Sequence, residues 1–284
     1  MLTTIDELRN WSNEQHAAGL TVGFVPTMGA LHEGHLSLVK AANERCDKTV
    51  VSVFVNPAQF APNEDFHKYP RPLENDLKVL KSAGAPEVFV PSVAEMYPDG
   101  FDASVHIGGV SQPFEGQFRP VHFSGVATVV LKLFNAGQAD IAFFGQKDYQ
   151  QVCVVRKMVS DLNVPVKIAV CPIVREPDGL AMSSRNRYLS AEHRRQAVVL
   201  SRSLAEAERL ISVKKEQKVK NIVAAMTKTI CTDTDFTVDY AAVADPETLR
   251  ELDIIDPLKH SAVVILLAAK IGTTRLIDNA VIEL

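Results

Sequence analysis

Apolar positions in the first part of the chain fall into short β-branched runs separated by stretches of helical spacing. Ile5, Leu8 and Trp11 recur at three-residue steps, which predicts a helix over 5–18 with Thr4 or Asp6 as its cap. Residues 21–25 (TVGFV) read as a short strand stopped by Pro26. A glycine- and histidine-bearing turn follows, and Leu36, Val39 and Ala42 mark a helix ending near Arg45. Residues 48–55 (KTVVSVFV) are nearly continuous in apolar side chains, as a strand covered on both faces requires. Strand, turn, helix, strand is the start of a βαβ layer, with its first loop at the carboxyl edge of the sheet.

The alternation continues with helices over 73–83, 123–135 and 149–161 and strands over 87–90, 140–144 and 166–171. Gly137 suits a left-handed cap after the second of these helices. The expectation is an α/β domain with a doubly wound parallel sheet over 1–174. Beyond it the rhythm changes. A long helix over 190–210, opened by Ser190, and a lysine-faced helix over 214–230 precede strands over 236–243, 262–269 and 273–277. A helical turn over 246–249 lies between the strands. Without βαβ alternation, 175–284 reads as a second, smaller α+β domain.

Composition narrows the class. The chain has 284 residues, 46% hydrophobic and 23% charged, enough for a sizeable core without covalent staples. A formal charge of −4 argues against a protein built to grip a nucleic-acid backbone. Cys46, Cys153, Cys171 and Cys231 are too widely spaced for paired metal ligation and read as reduced thiols. The first residues lack a basic stretch followed by an apolar one, and the apolar run 262–269 is far shorter than a bilayer span. A cytoplasmic enzyme with no membrane or nucleic-acid partner is the expectation.

Four polar segments could carry chemistry, three of them at expected carboxyl ends of strands. The first is 26–35 (PTMGALHEGH), where Gly29 and Gly34 permit close backbone approach to phosphate and His32 and His35 can both act on a polyphosphate. It is not a zinc motif, because the histidines are three apart and no third ligand is near. The second is 54–60 (FVNPAQF), where Gln59 offers donor and acceptors to a hydroxy-carboxylate. The third is 145–151 (GQKDYQQ), in which Lys147 supplies charge for phosphates, Asp148 caps a helix or meets a hydroxyl, and Gln151 faces a second substrate. The fourth is 182–185 (MSSR), two hydroxyls and a guanidinium suited to clamping phosphate, with Arg175 as a further charge. Segment 114–125 is an expected pocket wall, and Arg119 and Lys132 could meet a carboxylate. A solvated turn or hinge would explain any one of these segments. Their convergence on one sheet edge favours a ligand.

The absence of G-x-G-x-x-G after the first strand, and of a Walker motif, weakens dinucleotide and P-loop readings. The H-x-G-H, Lys and S-x-R pattern points to ATP attacked at its α-phosphate. A nucleotidyltransferase that retains the nucleotide on its product, and a regulatory nucleotide-binding module, are the rivals.

FVPTMGALHEGHLSLV, SVFVNPAQF, FFGQKDYQQ and GLAMSSRNRYL together resemble the pantoate–β-alanine ligase family over essentially the whole chain. The resemblance implies a Rossmann-like nucleotidylyl-transferase domain, a cap that closes over the site, and a homodimer. It implies condensation of (R)-pantoate with β-alanine through a pantoyl adenylate, with AMP and diphosphate released and Mg2+ accompanying ATP. It places ATP on Met28, Gly29, Ala30, Leu31, His32, Glu33, Gly34 and His35, on Gly145, Gln146, Lys147 and Asp148, and on Val174, Met182, Ser183, Ser184 and Arg185. His35 matches the proton donor; His32, Lys147, Ser183, Ser184 and Arg185 would act with it on the phosphates. Gln59 matches a ligand of pantoate and β-alanine, Gln151 a ligand of pantoate, and Asp76 is the candidate for magnesium.

Overall fold

The computed structural model describes residues 1–62, 64–84 and 87–284, which divide into two compact units. The first comprises Met1–Gln146 and Gln150–Pro172. Its elements in chain order are α1 (Ile5–Ala17), β1 (Val22–Thr27), α2 (Glu33–Arg45), β2 (Lys48–Val53), α3 (Leu73–Ser82), β3 (Glu87–Phe89), α4 (Val93–Met96), α5 (Glu115–Phe118), α6 (His122–Gly137), β4 (Ile141–Gly145), α7 (Tyr149–Asp161, whose first residue counts with the second unit) and β5 (Lys167–Cys171). The strands are parallel in the order β3-β2-β1-β4-β5, the expected doubly wound arrangement. The order reverses at β1, so a crevice opens beyond the carboxyl ends of β1 and β4.

Alternation along β1 assigns the layers. Val25 packs in one cluster with Leu38 and Val39 of α2 and Leu80 of α3. Phe24 points the other way, against Leu8 of α1 and Gly137 of α6, and all of its surface is buried. Burying a side chain of that size contributes about 2–3 kcal/mol. A Cβ on Gly137 would lie 2.8 Å from the Phe24 ring, so glycine is required for helix and strand to meet. Gly137 is therefore helical, and the left-handed residue expected there is Gln138, with φ of +44°.

Strand β1 also runs through Pro26 to Thr27 instead of stopping before it. Its pairing with β4 ends at Phe24, so the missing N–H of Pro26 breaks no bond on that side, while the register with β2 continues to Val53.

The second unit comprises Lys147–Tyr149 and Ile173–Leu284. It contains α8 (Ala191–Gln196), α9 (Val199–Ser212), α10 (Val219–Cys231), β6 (Phe236–Ala244), β7 (Ala262–Ile271) and β8 (Thr274–Glu283). The strands form an antiparallel sheet in the order β6-β7-β8. Leu204 and Ile211 of α9, Ile222 and Met226 of α10, and Ile265 and Leu267 of β7 share its core. The helix expected over 190–210 is broken at Ala197 and Val198, and 246–249 is a turn ended by Leu249 at φ of +56°. Strand β8 extends well past the expected end at residue 277, to Glu283, with Asp278 and Asn279 buried in its middle. Among the described residues no helix is long and apolar enough to cross a membrane.

Candidate active site

The turn after β1 is built from backbone amides and one buried carboxylate. Thr27 donates its hydroxyl to the Ser52 carbonyl at 2.7 Å and accepts from the Gly29 N–H at 3.2 Å. Gly29 (φ +78°) and Ala30 (φ +52°) then take left-handed conformations that swing the chain toward α2. Asp76 of α3 fixes them by accepting the Ala30 N–H at 2.8 Å and the Leu31 N–H at 2.9 Å. Only glycine fits at 29, because a Cβ there would lie 2.9 Å from an Asp76 oxygen.

His32 caps α2 by an unusual reciprocal pair. Its Nδ1 accepts the Gly34 N–H at 3.2 Å, and Nδ1 of His35 accepts the His32 N–H at 3.3 Å. The ring centroids are 4.2 Å apart. A nitrogen that accepts an N–H carries no proton, so in the neutral form of each ring the proton lies on Nε2. Both rings sit at the start of α2, where the helix dipole favours an anion.

Beyond β2, the Asn56–Gln59 turn is pinned from several sides. The Asn56 amide donates to Gln59 Oε1 and to the Gly125 carbonyl, each at 3.1 Å, while its oxygen accepts the Tyr97 hydroxyl at 2.7 Å. Burial pushes the Tyr97 phenol up to about 12, against the opposing pull of its bond to Asn56. Gln59 is buried with Nε2 3.0 Å from Met28 Sδ, which brings the first two polar segments into contact. His122 Nδ1 donates to the Gln59 carbonyl at 3.1 Å. Gly125 lets α6 approach this turn so closely that a Cβ would stand 2.3 Å from the Ala58 carbonyl oxygen.

The wall segment is held by Gln150, which sequence reasoning did not single out as structural. Its Oε1 accepts the Glu115 N–H at 3.0 Å, and its amide donates to the carbonyls of Val110 and Pro113 at 2.9 and 2.7 Å. Gln151, next in the chain, is half-buried on α7. Arg119 is engaged by a protein carboxylate, with its Nε and Nη2 donating to Glu64 at 2.7 and 3.0 Å. Lys132 lies over the Phe101 ring, 4.6 Å from its centroid.

Asp76, the candidate for magnesium, is instead used inside the turn. It is 1% exposed and both oxygens serve backbone amides. Among the described residues no group of three or more His, Cys, Asp or Glu side chains could hold a metal ion. The donors present therefore do not fit a protein-built magnesium site.

In the second unit, 174–182 forms a hairpin. The Met182 N–H donates to the Val174 carbonyl at 3.0 Å, Arg175 pairs with Ala181, and Gly179 (φ +97°) makes the turn. Arg194 anchors it with bonds to Glu176 at 2.6 Å and Asp178 at 2.7 Å, and its guanidinium holds the Asp178 carboxyl below the usual range. Arg175 is spent on Asp278 at 2.6 and 3.0 Å, so it is not the spare phosphate charge that the sequence suggested. Ser183 then caps the short helical turn Ser184–Tyr188, accepting the Arg185 N–H at 3.3 Å. Lys147 and Asp148 lie 3.8 Å apart, and the Lys147 carbonyl accepts from the Asn279 amide at 2.9 Å.

A family model described as pantoate-beta-alanine ligase matches residues 1–281. A pantothenate synthetase of Acetivibrio thermocellus is 51% identical over 283 residues, covering 100% of this chain and 99% of that protein. A crystal structure of pantothenate synthetase from Thermus thermophilus superposes with a TM-score of 0.90 at 44% identity, covering 98% of each chain. A pantoate-beta-alanine ligase from Francisella tularensis, complexed with beta-gamma ATP and beta-alanine, gives a TM-score of 0.80 at 34% identity over 99% of this chain and 97% of that one.

Proposed function

The chain belongs to the pantoate–β-alanine ligase family and condenses (R)-pantoate with β-alanine using ATP, and we propose how its residues divide that work. The observation that carries the assignment is the His32–His35 pair, whose Nδ1 atoms both accept backbone N–H groups. With Nδ1 accepting, the neutral ring carries its proton on Nε2, the kind of donor a developing phosphate charge requires.

In the first step a pantoate carboxylate oxygen attacks the α-phosphorus of ATP. The bond to the bridging oxygen breaks, and diphosphate departs with that electron pair. His35, with His32, donates to the charge that develops, and Lys147, Ser183, Ser184 and Arg185 receive the phosphates. Met28–His35, Gly145–Asp148, Val174 and Met182 complete the ATP contacts, with Asp148 at the ribose. In the second step the β-alanine amine attacks the acyl carbon of the pantoyl adenylate. AMP leaves, the ammonium loses its proton, and the amide remains. Gln59 orients pantoate and the amine, and Gln151 binds pantoate. Magnesium enters as part of the Mg–ATP substrate. The enzyme works as a cytoplasmic homodimer.

The test is an assay with each substrate omitted in turn. All three substrates are expected to yield AMP and pantothenate, and omission of β-alanine still permits diphosphate release to a tightly held acyl adenylate. Production of ADP, or a product that keeps the nucleotide, would overturn the reading.

A further inference from the structure

We propose that Asp278 and Asn279, consecutive on β8, are positioning residues that hold both phosphate-handling segments of the second unit. The proposal rests on the assignment of Lys147 and of Ser183, Ser184 and Arg185 to ATP made above.

Asp278 is 3% exposed and takes the Arg175 guanidinium with two bonds, at 2.6 and 3.0 Å. The same guanidinium donates to the Gly179 carbonyl at 3.0 Å, so this one pair fixes both the first strand and the turn of the 174–182 hairpin. Ser183 follows that hairpin directly. Asn279 is 2% exposed and donates to the Lys147 carbonyl at 2.9 Å, fixing the backbone from which the Lys147 ammonium extends. Tyr149 secures the other end of that turn, its hydroxyl donating to the Pro246 carbonyl at 2.9 Å. Asp278 stands opposite Leu267 of the helix-packed core and Asn279 opposite Leu266. Successive strand residues leave opposite faces, which is how one short stretch reaches two separate segments. The Asn279 N–H donates to Asp278 Oδ1 at 2.8 Å and couples the two.

Stability alone does not call for this pair. A carboxylate and an amide in mid-strand carry a desolvation penalty, and apolar residues of similar volume often serve a core as well or better. Here the polar atoms are matched to two points of the chain that flank proposed ATP ligands.

The experiment separates the two half-reactions in Asn279→Asp, which replaces the donor facing the Lys147 carbonyl by an acceptor of the same shape, and in Asp278→Asn. Expected are an ATP KM raised about 10-fold and a similar fall in pantoate-dependent ATP–diphosphate exchange, the scale of one lost charge-assisted or buried bond. Conversion of supplied pantoyl adenylate and β-alanine should stay within about twofold, and Asp278→Glu should recover part of the loss. Ile222→Ala serves as the control, since it removes core volume on α10, which contributes to neither tie, and should lower the melting temperature without moving the ATP KM. Should Asp278→Asn fail to fold, Arg175→Lys keeps the charge, loses the two-point fork and reads the same tie. An unmoved ATP KM, or equal loss in both half-reactions, would overturn the proposal. A wild-type chain that forms no AMP from the three substrates would instead sink the underlying reading.

Discussion

Asp76 accepts the backbone N–H of Ala30 at 2.8 Å with one carboxylate oxygen, and its other oxygen takes the next amide, that of Leu31. The turn between β1 and α2 is thereby held in two successive left-handed residues that strand and helix propensities would not produce unaided. Asp76→Asn keeps the shape but turns an NH2 group toward one of the two amides. A buried donor left facing a donor costs about 1–3 kcal/mol. The expected result is a lower melting temperature and a raised KM for ATP, neither restored by extra magnesium. Recovery of activity at high magnesium would show that Asp76 serves a metal after all.

His35→Ala removes both a proposed Nε2–H donor and the Nδ1 acceptor of the His32 N–H. Losing a preorganised donor to a developing oxyanion slows the affected step by about 100-fold or more. That loss is expected in pantoate-dependent ATP–diphosphate exchange. Supplied pantoyl adenylate should still react with β-alanine near the wild-type rate. Equal loss in both measurements would place His35 in general support of the fold rather than at the phosphate.

Much of this was legible in the sequence, because β-branched runs and Gly-His turns report directly on a parallel sheet and its loops. The end of β8 was not, because Asp278 and Asn279 interrupt the apolar alternation at the point where the strand takes on its tethering bonds. Arg175 and Arg119 looked like free charges for a different reason. Sequence shows a guanidinium, but not the Asp278 or Glu64 carboxylate that meets it from 103 or 55 residues away. The long helix over 190–210 was misread because nothing in the side chains of Ala197 and Val198 marks a break. Gly125 left no signal either, since its role is the close passage of α6 over a turn distant in the chain.

Gly125→Ala tests that passage. The new methyl carbon would lie 2.3 Å from the Ala58 carbonyl oxygen and 2.6 Å from the Gln59 Cα, so backbone must move. Overpacking of this kind costs about 1–3 kcal/mol. The displaced turn carries Gln59, so KM for pantoate is expected to rise along with the loss of stability seen in urea unfolding. A variant with unchanged stability and KM would mean that the helix yields there without strain.

Tyr97 gives the fold a pH signature at the alkaline end. Burial raises its phenol from the ordinary 10 to about 12, so the neutral form is favoured in the folded chain. The unfolded chain ionises first. Stability from this group is therefore complete below pH 10 and is lost as pH rises toward 12. Tyr97→Phe deletes the hydroxyl and its 2.7 Å bond to Asn56, which makes the variant less stable near neutrality by about 1 kcal/mol. The gap between wild type and variant should narrow once the pH passes 10, because only the wild type then loses stability through this phenol. Urea unfolding of both proteins at neutral and alkaline pH measures the gap, and phenolate absorbance of the folded proteins reports the titration itself. A constant gap, or a Tyr97 phenol that ionises with the exposed tyrosines, would contradict the buried Tyr97–Asn56 pair.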